Sequence, residues 1–90
     1  MSKPVLIDFY ADWCGPCRMQ TPILEQLKEK MGDSIDIQKV DVDQNMDIAT
    51  KYGIQVVPTL VIEKSGKIEH RLEGVTPAET LESLLKSLID

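Results

Sequence analysis

Ninety residues suit a single domain, and 42% hydrophobic with 28% charged residues is the balance of a folded globular chain rather than a disordered one. The net charge of −5, from 15 acidic and 10 basic residues spread along the sequence, supplies none of the clustered Lys and Arg that nucleic-acid phosphates need, and is read as serving solubility. No stretch approaches the roughly 20 apolar residues of a membrane span.

The start, MSKPVLIDFYADW, is a short polar lead followed by a strand-like run, without the three regions of a signal peptide. Taken as complete, the chain is expected to be cytoplasmic. The near-continuous apolar run at 4–11 predicts a strand buried on both faces. Pro16 opens a helical pattern in which Met19, Ile23, Leu24, Leu27 and Met31 share one face, and Gly32 ends it. Pro22 lies inside that helix and should bend it. Residues 34–42 alternate and are rich in β-branched side chains, so they predict a second strand. A short helix over 45–53 closes at Gly53. Strands over 58–64 and 67–73 flank Ser65-Gly66, a hairpin turn. Thr76 as N-cap, Pro77 at the first helical position and Glu79 as capping-box partner predict the last helix, with Leu81, Leu84, Leu85 and Leu88 as its apolar stripe. The order β-α-β-α-β-β-α places a parallel, right-handed β-α-β unit beside an antiparallel hairpin in one mixed sheet.

The only two cysteines, Cys14 and Cys17, lie in ADWCGPCRM. Two cysteines in one motif are too few for the disulfide framework of a small secreted domain. Cys14 falls just past the first strand, at the start of the first helix, where open α/β sheets gather their sites. The unpaired N–H groups and dipole of a helix start favour thiolate there, and the thiolate is the nucleophile. Residues three apart in a first turn have Cα atoms about 5–6 Å apart, the separation a disulfide prefers. A zinc site needs four ligands, and beyond the cysteines the chain offers only His70 and carboxylates. A purely structural disulfide closing so small a loop adds little stability. A redox pair is the reading these residues favour.

The stretches DFYADWCGPCRMQTPILEQL, KVDVDQN, KYGIQVVPTLVIEKSGK and EGV, in that order along nearly the whole chain, resemble the thioredoxin family. The resemblance implies one thioredoxin domain over 1–90, a minimal three-layer α/β/α sandwich on a four-stranded mixed sheet. It implies a protein-disulfide reductase serving cell redox homeostasis. Cys14 would be the attacking cysteine and Cys17 the resolving one, with Gly15-Pro16 favouring a reducing pair. Asp8 would be a buried carboxylate that takes the proton of Cys17, its pKa raised by burial. Lys39 would hold that carboxylate or its water. Pro58 would be a cis proline, which turns the backbone of Val57 toward Cys14 and lets it pair with an extended substrate. Trp13 would form an apolar platform, and Gly74 would admit the substrate backbone. No cofactor is expected in this chain. NADPH and FAD would act through a separate thioredoxin reductase, the expected partner beside disulfide-bearing proteins such as ribonucleotide reductase, peroxiredoxins and methionine sulfoxide reductases.

Three departures qualify the resemblance. The strand and helix that usually precede the segment starting at Pro4 are missing, so the second strand should become a sheet edge and one face should lose a helix. A monomer is expected, with lower stability or dimerisation as the consequence of that loss. Tyr10 stands where many members carry tryptophan, and Glu73 stands where the groove is often apolar. The rival functions are an oxidase or isomerase on the same fold, and a binding module with idle cysteines.

Overall fold

The computed structural model describes residues 2–89. Its elements are β1 (Val5–Tyr10), α1 (Gly15–Met31), a short 3-10 turn (Gly32–Ser34), β2 (Asp36–Asp41), α2 (Met46–Lys51), β3 (Thr59–Lys64), β4 (Lys67–Glu73) and α3 (Ala78–Lys86). The sheet order is β2-β1-β3-β4. β1 and β2 are parallel, with Asp8 opposite Lys39. β3 runs antiparallel to both neighbours, placing Thr59 between Phe9 and Glu73. The predicted elements therefore all form, and among the described residues β2 is the expected edge.

Period-two alternation divides β1 between two layers. Leu6 faces α1 and α3 and packs with Leu24, Leu27, Ile35, Leu60, Ile62, Leu81 and Leu85, all buried. Ile7, Phe9 and Val61 face the opposite way, where the cover is α2 and the residues around it, including Ile48, Tyr52 and Ile54. Arg71 of β4 closes this side by donating to the carbonyls of Tyr52 and Gly53, at 2.6 and 2.7 Å. Among the described residues this second cluster has three buried members against eight in the first.

Local signals work as written for the turns. Gly32 stops α1 with φ 55° and donates its N–H to the Lys28 carbonyl. Ser65 and Gly66 both have positive φ, 55° and 79°, the geometry of a two-residue hairpin turn.

Two expectations are corrected. Met19 is 63% exposed. The rest of the expected stripe holds, with Leu24 and Leu27 buried and Ile23 and Met31 packed against the same cluster, while Cys17 and Gln20 rather than Met19 continue the buried face toward the start of α1. Thr76 is not the N-cap of α3: Pro77 holds that place with extended backbone, and no side chain caps the helix. Thr76 is buried, and both its backbone groups bond to Gln20. Glu79 still occupies the first turn, where its charge suits the helix dipole.

Candidate active site

β1 ends at Tyr10, and a tight turn closed by the Cys14 N–H on the Ala11 carbonyl (3.1 Å) leads into α1. Cys14 is the N-cap of α1. Its sulfur takes the place of the usual Ser or Asp oxygen and accepts the Cys17 N–H at 3.2 Å. That N–H is one of the donors a helix start leaves unpaired, so the fold aims a partial positive charge at this sulfur. Cys14 and Cys17 are joined in a disulfide with Cα atoms 5.3 Å apart. Both residues are buried, while Gly15 and Pro16 between them are exposed. The pair thus lies just beneath the surface, with an open approach over its short loop.

The Val57–Pro58 bond is cis. It brings the Val57 carbonyl oxygen to 3.6 Å from the Cys14 sulfur. Gly74, at the end of β4, continues the β3–β4 ladder by donating its N–H to the Pro58 carbonyl at 2.8 Å. Its φ of 90° is open to glycine and strained for other residues. Three segments distant in sequence, at 14–17, 57–58 and 74, therefore meet at one end of the sheet.

Asp8 is fully buried. It shares with Leu6 the face of β1 that α1 covers, the layer into which Cys17 also points. Neither carboxylate oxygen has a hydrogen-bond partner among the described residues. Burial pushes its pKa up from 3.8 to about 6, against the pull of the Lys39 ammonium. Lys39 is exposed, its Nζ 4.8 Å from the centre of the Tyr10 ring and 3.2 Å from Thr21 Oγ1, to which it donates. Lys39 therefore acts on Asp8 through its field, with its own hydrogen bond spent on Thr21.

Trp13 is 70% exposed beside Cys14, and its Nε1–H donates to Asp43 at 2.8 Å. A shallow cleft of about 150 Å³ runs past it, lined also by Val42, Ile54, Gln55, Val56 and Val57. A second, of about 190 Å³, borders Cys17, Arg18, Thr21 and Lys39. A larger groove of about 430 Å³ runs between α1 and the β2 edge and shares Thr21 and Lys39 with the cleft beside Cys17. Shallow clefts beside the cysteines suit an extended polypeptide better than an enclosed small molecule. Among the described residues no three His, Cys, Asp or Glu side chains gather where they could hold a metal, and no helix is long and apolar enough to cross a membrane.

Sequence reading missed two residues that brace the surroundings of this site, Asp43 and Gln20. Asp43 left no local signal, since its bond to Trp13 spans 30 positions. Gln20 left one: it is a polar side chain spaced three after Cys17 and four before Leu24, on the buried stripe.

The thioredoxin family model matches residues 1–87. Thioredoxin Y, a chloroplastic protein of rice, is 47% identical over 88 residues, covering 98% of this chain and 52% of the rice protein, so the chain spans about half of that relative's length. Thioredoxin of Bacillus subtilis is 47% identical over 81 residues, covering 90% of this chain and 78% of the relative. The solved structure of a mutant thioredoxin from Halobacterium salinarum superposes with a TM-score of 0.89 at 40% identity, covering 98% of this chain and 76% of the other. With a cysteine pair at disulfide distance on the matching fold, the chain belongs to the thioredoxin family of protein-disulfide oxidoreductases.

Proposed function

We propose that this chain reduces protein disulfides, with the residues at the C-terminal end of β1 in the following roles. In the reduced protein the Cys14 thiolate attacks one sulfur of a substrate disulfide. A Cys14–substrate bond forms, the substrate S–S bond breaks, and the departing thiolate takes a proton. Asp8, ionised above about pH 6, accepts the thiol proton of Cys17. The Cys17 thiolate then attacks the Cys14 sulfur. The Cys14–substrate bond breaks, and the second substrate sulfur leaves as a thiolate and takes the proton held by Asp8. With two electrons passed, the substrate is a dithiol and the Cys14–Cys17 disulfide remains. Lys39 steadies the Asp8 charge through its field. The backbone of Val57, turned by Pro58, pairs with an extended substrate segment. Trp13, Gly15, Pro16 and Gly74 form the surface against which that segment lies.

The observation that carries this reading is the Cys14 sulfur itself, capped by the Cys17 N–H and faced by the Val57 carbonyl. A separate flavoprotein, a thioredoxin reductase using NADPH, restores the dithiol. The chain works as a monomer in a reducing compartment, the cytoplasm. That location is supported by the bacterial thioredoxin among its relatives, while the rice relative's chloroplastic name marks the alternative.

The test is NADPH consumption by a mixture of this protein, a thioredoxin reductase and insulin. Turnover is expected with the natural protein and none with Cys14→Ser; an active Cys14→Ser protein would end the proposal. Cys17→Ser should accumulate a mixed disulfide visible by mass spectrometry. A reduction potential near −270 mV, roughly the usual thioredoxin value, is expected, and one far above it would point to an oxidase.

A further inference from the structure

Gln20 is fully buried on the stripe of α1 that carries Cys17. Its Nε2–H donates to the Thr76 carbonyl at 3.0 Å, and its Oε1 accepts the Thr76 N–H at 2.8 Å. One side-chain amide thus takes both backbone groups of a single residue 56 positions away. The arrangement copies the exchange between two opposed residues of an antiparallel sheet. It ties the segment after β4 to α1, where no strand reaches.

The same segment is held from the other side. Gly74 donates to the Pro58 carbonyl, and Thr76 Oγ1 donates to the Gly74 carbonyl at 3.2 Å. Residues 74–76 therefore hang between two anchors, the cis proline and the helix of the cysteines. Val75, between them, is 38% exposed and presented outward. Gln20 is one helical turn beyond Cys17, so its amide sets how far this segment stands from the sulfurs. A buried leucine would fill the space as well, and would be the simpler choice if packing were the whole role. It would leave the Thr76 N–H and carbonyl buried and unpaired, and free the segment to move.

We propose that Gln20 is a positioning residue for polypeptide disulfides. It fixes the Gly74–Thr76 wall of the groove, so that an extended chain bound along Val57 is held on both sides while its disulfide meets Cys14. This inference rests on the reductase reading above. Losing the amide should weaken binding of polypeptide substrates and leave the sulfur chemistry alone.

The test compares Gln20→Leu, and Gln20→Met as a more pliable second variant, with the natural protein. Each is assayed on insulin and on 5,5′-dithiobis(2-nitrobenzoate), a small disulfide that needs only the Cys14 sulfur. The expected result is a KM for insulin raised about tenfold with kcat nearly unchanged, and an unaltered rate on the small disulfide and unaltered reduction potential. Equal changes on both substrates, or an unchanged KM in a folded variant, would overturn it. Amide exchange in the natural protein gives an independent reading: the Thr76 N–H should be protected, and fast exchange there would also overturn the proposal. A natural protein inactive on both disulfides would instead defeat the reductase reading.

Discussion

The two ends of the sheet are built on opposite principles. The end that carries Val5, the Ser65–Gly66 turn and Ile35 buries apolar side chains alone, in the cluster around Leu6, Leu27, Ile62 and Leu85. The other end holds the four buried polar or charged residues among those described: Asp8, Gln20, Thr59 and Thr76. Three of these are satisfied, Gln20 and Thr76 by each other and Thr59 by the Val56 carbonyl at 2.6 Å. Asp8 is not. Stability comes from the first end, and the second gives some of it up to keep an unpartnered carboxyl group buried.

The division can be broken first at its apolar end. Leu27 is fully buried in the large cluster. Leu27→Ala should cost about 3–4 kcal/mol in urea unfolding, with insulin reduction unchanged below the melting range. A folded variant with impaired catalysis would show that the two ends are not separable.

Asp8→Ala should move stability the other way. The folded protein keeps the Asp8 proton up to about pH 6 and the unfolded chain releases it near 3.8, so this carboxyl makes stability fall as pH rises through that window. Removing the charge should stabilise the protein by about 2–3 kcal/mol at pH 8. The gain should shrink below pH 6 and vanish near pH 4 in thermal melts, while insulin reduction slows. A gain independent of pH would mean that the carboxylate was never the burden.

Gly74→Ala sharpens the picture on a smaller scale. A Cβ there meets no atom within 4 Å, so the effect should be backbone strain alone. Chemical denaturation should register a loss of about 1 kcal/mol. Trp13→Ala, at a largely exposed position, should change stability by under about 0.5 kcal/mol while slowing insulin reduction. A larger stability loss would make Trp13 part of the frame.

What was legible in the sequence follows the range of the interactions involved. The Ser65-Gly66 turn and the stop at Gly32 depend on backbone freedom within a few residues, and both form as read. Cys14 at the helix start was legible for the same reason. Thr76 was misread because Thr-Pro-x-Glu is a fair local capping signal, and the residue that overrules it is Gln20, far away in the chain. Met19 was placed inward by a pattern that counts apolar residues alone, and the position it took on the buried face belongs to the polar Gln20. The cis bond at Pro58 had no physical signal at all and came from family resemblance. Long-range polar pairs are where a chain's pattern and its structure part company, and here they concentrate at the reactive end.

Trp13 is the sole tryptophan of the chain, largely exposed and next in sequence to Cys14. Disulfides quench indole emission at close range, so the protein carries its own optical gauge at the reactive sulfur. Its ultraviolet fluorescence should brighten on reduction and follow a redox titration without any added dye. The same placement makes emission a poor reporter of unfolding, because this indole is already in water in the native state. Melts are better followed by circular dichroism, and stopped-flow fluorescence is free to watch the chemistry alone.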